Sequence, residues 1–212
     1  MRTLAVLAGL LALGSALAQS RPEAQLQQAI EAVLQGRLSA ALGEVDRLVS
    51  QYPNFRLAHL VRGDVLLARA RPIESFGNTG HALPERLREL RDEAAARLRA
   101  AKVPPPAGQV PRAFLQFAPG ERHAFLVDAG VSRVYVFENA DGTPRLVQDF
   151  YATLGRNGIA KEREGDRKTP IGVYGVTSHI AGSKLPDLYG WGAFALSYPN
   201  EWDRLQGRTG YG

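Results

Sequence analysis

Three consecutive prolines, Pro104 to Pro106, divide this chain into two parts with different periodicities. Proline fixes φ and has no N–H, so Lys102-Val-Pro-Pro-Pro-Ala-Gly108 stops a helix and favours extended polyproline geometry. Residues 102–112 are therefore expected to be a Pro-rich linker. Before it, apolar residues recur at helical spacing. Leu26, Ile30, Val33 and Leu34 share one face, and Gly36 closes that helix. Leu38, Leu42, Val45, Leu48 and Val49 form a second face, ended by Tyr52-Pro53-Asn54. Leu57, Leu60, Val61 and Leu67 mark a third, running to about Ala70. Residues 71–83 read as a loop, and Pro84 suits the first position of a fourth helix carrying Leu87, Leu90, Ala94 and Leu98. Residues 19–101 are thus expected to form a helical region.

After the linker the pattern becomes that of short strands. Ala124–Asp128 and Arg133–Glu138 are β-rich, Asn139-Ala-Asp-Gly142 is a hairpin signal, and Arg145–Thr153 returns. Thr169-Pro-Ile-Gly172 is a turn that launches a further strand, Val173 to Thr177. Helices followed by strands imply an α+β chain, with the second part a sandwich or barrel. The helical part carries weak marks of a tetratricopeptide repeat: Ala41, Pro53-Asn54 and Gly63. Roughly one and a half repeats would fit where stable arrays use about three. A protein-binding surface is one reading, and a plain helical packing unit is the other.

The N-terminus carries a short basic start, Arg2, then the apolar run Leu4–Leu13 and the small-residue ending Gly14-Ser-Ala-Leu-Ala18. This is the pattern of a secretory signal peptide over residues 1–18, cleaved after Ala18, and it predicts an exported, periplasmic protein. The apolar run is too short for a stable membrane span. The net charge of +5 is spread evenly: 12 basic against 10 acidic residues in 21–101, and 13 against 11 in 102–212. With no clustered basic patch, nucleic acid is not an expected partner. The 212 residues contain no cysteine, which excludes disulfides, thiol chemistry and cysteine metal sites within them.

Two segments carry the functional signal. The first is Gly165-Asp-Arg-Lys168-Thr-Pro-Ile-Gly172-Val-Tyr174. The second runs from Tyr189-Gly-Trp-Gly-Ala-Phe194 through Ser197-Tyr198-Pro199-Asn200 and Asp203-Arg204 to Gly207-Arg208-Thr-Gly210. Together with the turn Thr153-Leu-Gly155, they resemble the L,D-transpeptidase (YkuD-type) catalytic domain, in the branch found in Gram-negative bacteria. The resemblance covers roughly residues 122–212, so residues 113–212 are expected to be a partial domain of that kind. It implies cysteine acyl transfer on the tetrapeptide stems of peptidoglycan, with no metal or organic cofactor. A thiolate attacks the carbonyl preceding the terminal D-alanine, an imidazole takes the thiol proton, and an amine receives the acyl group. The family's catalytic cysteine and histidine have no counterpart in this sequence and are expected beyond Gly212, so the residues given are expected to be inactive. The alternatives are a family member acting as a hydrolase or carboxypeptidase, and a non-catalytic module that binds peptidoglycan or protein.

Four residues are candidates for handling substrate: Lys168, Arg208, Tyr198 and Asn200. The two cations could meet stem carboxylates. They could equally fix local structure, Lys168 by pairing with Asp166 and Arg208 by pairing with Asp203. Tyr198, Pro199 and Asn200 read as a loop beside the site. Ser178-His179 is the one Ser–His neighbour pair, but adjacent strand residues face opposite ways and suit joint catalysis poorly. His59, His81 and His123 read as surface or packing histidines, and no histidines show metal-ligand spacing.

Overall fold

The computed structural model describes residues 21–78, 83–102, 109–112, 114, 117 and 120–211. The expected signal peptide and the central prolines of the linker lie outside these residues. Four helices come first: α1 (Arg21–Leu34), α2 (Leu38–Gln51), α3 (Arg56–Ala68) and α4 (Pro84–Lys102). Pro84 opens α4, where its missing N–H costs no hydrogen bond. Gly36 ends the first helix in the left-handed region, at φ +71°.

The helical core forms where the periodic faces meet. Leu26, Ala29, Ala41, Val45, Leu48, Leu57, Val61, Val65 and Ala94 are buried, with Phe55, Phe76 and Leu90 packed around them. Small alanines alternate with branched residues, which lets the helices approach closely. Leu34, expected on the first face, is instead 79% exposed, whereas Ala32 and Val33 of the same turn pack on the core. Asp64 is buried on α3 and accepts hydrogen bonds from the N–H groups of Gly77 (2.5 Å) and Asn78 (3.0 Å), which fixes the loop after α3. Gly43 and Gly63 face open space, so neither permits a close helix contact.

The strands follow as β1 (His123–Asp128), β2 (Arg133–Ala140), β3 (Thr143–Tyr151), β4 (Val176–Ala181) and β5 (Gly192–Leu196). β1, β2 and β3 form an antiparallel sheet in that order, and β4 pairs antiparallel with β5 in a separate two-stranded sheet. The β2–β3 turn is Asp141-Gly142, both with positive φ, and Asn139 Oδ1 accepts from the Gly142 N–H at 2.7 Å. A bulge opposite Val136 and Phe137 bends the pair. Phe137, 3% exposed, meets Phe114 edge-on at 4.9 Å and anchors a second, smaller core. A short helix, α5 (Glu201–Leu205), follows β5.

The chain is therefore α+β, with helices preceding antiparallel sheets. Two expectations shift. The strand expected from Val173 begins at Val176, because residues 173–175 are held from outside the ladder. Asn200 Nδ2 donates to the Val173 carbonyl at 3.1 Å, and Gly175 N–H donates to Ser197 Oγ at 2.9 Å. The expected sandwich or barrel takes the form of two small, separate sheets among the described residues.

One ionic cluster joins the helices to the three-stranded sheet. Glu23 of α1 accepts from Arg97 of α4 at 2.6 Å, from Arg133 of β2 at 3.1 Å and from the Tyr151 N–H at 3.0 Å. Arg133, almost fully buried, also pairs with Asp149. The Arg97 guanidinium lies 4.9 Å from the Phe55 ring centroid and 4.2 Å from that of Tyr151, with Glu93 at 2.7 Å. Buried charges require such compensation, and here every charge has a partner. Among the described residues, no helix is long and apolar enough to cross a membrane.

Candidate functional site

The segments singled out in the sequence fold onto one another. Gly155, the last residue of the Thr153-Leu-Gly turn, has no room for a side chain. A Cβ there would sit 2.4 Å from the Arg167 carbonyl oxygen and 2.7 Å from the carbonyl carbon of Lys168. Its N–H donates to Thr169 Oγ1 at 2.8 Å, the Asn157 N–H to the Arg167 carbonyl at 3.0 Å, and the Thr169 N–H to the Gly158 carbonyl at 2.9 Å. The turn and the Asp166–Thr169 segment are thus one packed unit.

Asp166 is the hub of that unit. Its carboxylate accepts from the N–H groups of Glu162 (2.8 Å), Arg163 (3.0 Å) and Lys168 (3.0 Å), and from Lys161 Nζ (3.2 Å). Desolvation disfavours its charged form, but the three backbone donors and the ammonium outweigh it and hold the carboxyl well below the usual carboxylate range.

Asp203 plays the same part for the second segment. It forms a capping box with Asn200: Asn200 Oδ1 accepts from the Asp203 N–H at 2.9 Å, and Asp203 Oδ2 from the Asn200 N–H at 3.1 Å. Its other oxygen accepts from Arg208 at 2.8 Å. Burial opposes the Asp203 charge, yet Arg208 and the Asn200 N–H win, and the carboxyl titrates below its ordinary value.

The two hubs are tied together. Thr209 N–H donates to the Glu162 carbonyl at 2.9 Å, and Tyr198 Oη donates to the Thr209 carbonyl at 3.2 Å. Lys161, already on Asp166, lies 5.9 Å from the Tyr198 ring centroid. Tyr174 packs edge-on against Tyr198 at 5.7 Å. A Cβ on Gly172 would fall 2.6 Å from the Tyr174 hydroxyl, which explains the glycine two residues before that tyrosine. Tyr174 Oη is buried with no partner in hydrogen-bond geometry among the described residues. Burial first, and then the nearby Asp203 charge, push its pKa up to about 12.

Three of the four candidate residues gather around Asp203. Tyr198 is buried, Asn200 uses its side chain as a cap and a tie to Val173, and Arg208 is paired, as its structural alternative foresaw. Lys168 stands apart on the neighbouring loop. The pairing expected for it goes to Lys161, and Lys168 gives Asp166 only its backbone N–H. Its ammonium has no partner among the described residues, and it lines a shallow cleft of about 390 Å³ with Asn157 and Arg163. Asp203, Tyr174 and Lys161 were not singled out as site residues from sequence. The Asn200-x-x-Asp203 spacing is a capping signature that points to Asp203, whereas nothing local marks Lys161.

The histidines stay outside this platform. His179 faces Phe194 at 5.2 Å, His59 Nε2 lies 2.8 Å from the Pro53 carbonyl, and His123 opens β1; His81 falls outside the described residues. Among the described residues no three His, Cys, Asp or Glu side chains cluster as metal ligands.

No family model and no curated protein matches the sequence. Solved structures do show likeness. The helical cell shape determining protein Pgp2 from Campylobacter jejuni is 30% identical over 46% of this chain and 34% of its own, with a TM-score of 0.41. A mutant of the same protein gives 31% identity, 46% and 33% coverage, and 0.41. Bd1075 from Bdellovibrio bacteriovorus gives 26%, 46%, 34% and 0.38. The chain spans about a third of the length of these structures, and TM-scores at this level do not define a shared fold.

Proposed function

We propose that this chain carries part of an exported L,D-transpeptidase-type protein that remodels peptidoglycan, with the thiol nucleophile supplied from outside these 212 residues. The observation that supports the reading is the interlocking of the two resembling segments. Asp166 and the backbone at Gly155 fix residues 153–174 and Asp203 fixes residues 197–210, and the two are joined by the Thr209 N–H on the Glu162 carbonyl, the Glu164 N–H on Thr209 Oγ1 and Asn200 Nδ2 on the Val173 carbonyl. The glycines and carboxylates of the resemblance are the residues that make this packing possible.

On this reading the platform's work is positional. Its backbone hydrogen bonds fix two adjacent loops, and rigid elements hold a reacting group better than mobile ones. Lys168 offers an unpaired ammonium to a carboxylate of the peptide stem. Arg208, Tyr198 and Asn200 act behind it, holding the loop around Asp203.

The test uses tetrapeptide muropeptides and follows D-alanine release and cross-linked product. The 212-residue chain is expected to give neither. A gene product extended through its natural reading frame and containing a cysteine is expected to give both, and Lys168→Ala in that background is expected to raise KM several-fold, since it removes about 1 kcal/mol or more of charge-assisted binding. Turnover by the cysteine-free chain would overturn the requirement for a thiol.

A further inference from the structure

A larger groove, about 710 Å³, lies between the helical region and the strands, away from the Asp166 and Asp203 hubs. It is lined by Gln51 at the end of α2, by Tyr52 and Asn54 from the α2–α3 turn, by Tyr151 from β3, and by Asp187 and Trp191 from the β4–β5 connection. Its size and its place between two structural units are those of a ligand site.

The lining narrows the chemistry. Arg97 and Glu23 also face the groove, but both are committed to each other and to Glu93, Arg133 and the Tyr151 N–H. No free cation remains among the lining residues, which disfavours phosphate, carboxylate or nucleic acid as ligand. What remains uncommitted is of two kinds. Trp191 is 99% exposed, a full indole face with nothing upon it, and Tyr52 is exposed as well. Gln51, Asn54 and Asp187 carry planar amide or carboxylate groups that make no side-chain hydrogen bond among the described residues. Flat aromatic faces suit the apolar C–H face of a pyranose ring, and planar amides and carboxylates serve neighbouring hydroxyls with paired hydrogen bonds. A cationic ligand would also use the aromatics, but Asp187 is the one uncommitted carboxylate lining the groove, and three planar groups exceed what an ammonium needs.

We propose that this groove binds an uncharged oligosaccharide strand, with Trp191 stacking on one sugar ring and Gln51, Asn54 and Asp187 holding its hydroxyls. The proposal stands on the groove's own residues and does not depend on the acyl-transfer reading. The chain has two tryptophans, so Trp202→Phe leaves Trp191 as the single indole reporter. This variant is titrated with hexamers of β-1,4-linked N-acetylglucosamine and of glucose, and with tetralysine as a cationic probe. A saturable blue shift with at least one saccharide is expected. By calorimetry on the otherwise unaltered chain, Trp191→Ala is expected to weaken that binding about tenfold and Asn54→Ala about fivefold, as loss of a stacking face and of a hydrogen bond predicts. Unchanged melting curves for both exposed-site variants separate loss of binding from loss of fold. No saturable response to either saccharide, unaltered affinity in Trp191→Ala, or tighter binding of tetralysine than of both saccharides would overturn the proposal.

Discussion

Asp166 and Asp203 each turn a flexible stretch into a fixed loop, because a carboxylate has enough lone pairs to gather several donors at once. Both titrate below the ordinary carboxylate value when folded. A group whose pKa is depressed by folding contributes stability that is complete above its unfolded value, about 3.9, and is lost as pH falls through the folded value. The melting temperature of the strand region is therefore expected to change little from these groups between pH 7 and 5 and to fall below about pH 4. Asp203→Asn is expected to lower stability at neutral pH and to flatten the acid limb, and circular dichroism melts at several pH values check both. An acid limb as steep in Asp203→Asn as in the parent would sink the account. Gly155 makes a sharper case, since its missing Cβ is excluded by backbone that cannot swing away. Gly155→Ala is expected to cost about 1–3 kcal/mol through overpacking, read from urea denaturation.

At the scale of elements, the helices were legible because their apolar period repeats over three or more turns, and α1 to α4 lie where Leu26, Val45, Val61 and Pro84 placed them. The Asp141-Gly142 hairpin was legible for a different reason: two residues with positive φ leave few sequence choices. β5 was not legible as a strand. Its sequence Gly-Ala-Phe-Ala-Leu has little β-branching, and its pairing with β4 is decided by a partner more than ten residues away. The start of β4 was displaced by side chains from 197 and 200, which no local rule reveals. The platform shows the same division. Its glycines and carboxylates stand out in the sequence, but that Lys161 rather than Lys168 takes Asp166 is a fact of three-dimensional packing. Gly43 and Gly63 are interior to α2 and α3 with open space where a methyl would go. Gly63→Ala is expected to stabilise the helical region by about 0.8–1.0 kcal/mol, the difference in helix propensity. Destabilisation in a thermal melt would instead mean that the space at position 63 is filled in the folded chain.

For the whole molecule, the Glu23 cluster is what couples the helices to the three-stranded sheet. Each part has its own core, around Val45 and Leu57 in one and Phe137 in the other, and the smaller core is thin. β1 exposes Phe125 and Val127 by about half, and the β4–β5 pair exposes Val176 and Phe194, so apolar burial within the sheets is limited. Glu23 supplies what the strands lack. It bonds to Arg133, which is almost fully buried in β2 and already paired with Asp149, and it holds Arg97 against Tyr151 at the end of β3. Without Glu23, Arg133 keeps Asp149 and Arg97 keeps Glu93, so what is lost is the bonds tying α1 to α4, to β2 and to the Tyr151 N–H, about 1–3 kcal/mol. Glu23→Ala is therefore expected to do more than lower the midpoint. It should let the sheet loosen ahead of the helical core, dividing the melt into two steps, because α1 is then no longer bonded to β2 and to the end of β3. Residues 120–211 expressed alone lack Glu23 altogether and are expected to melt broadly. Tyrosine fluorescence and helix circular dichroism, followed on the same samples, distinguish the cases. Coincident curves in Glu23→Ala, or a sharp cooperative melt for 120–211, would show that the sheets fold without the clamp.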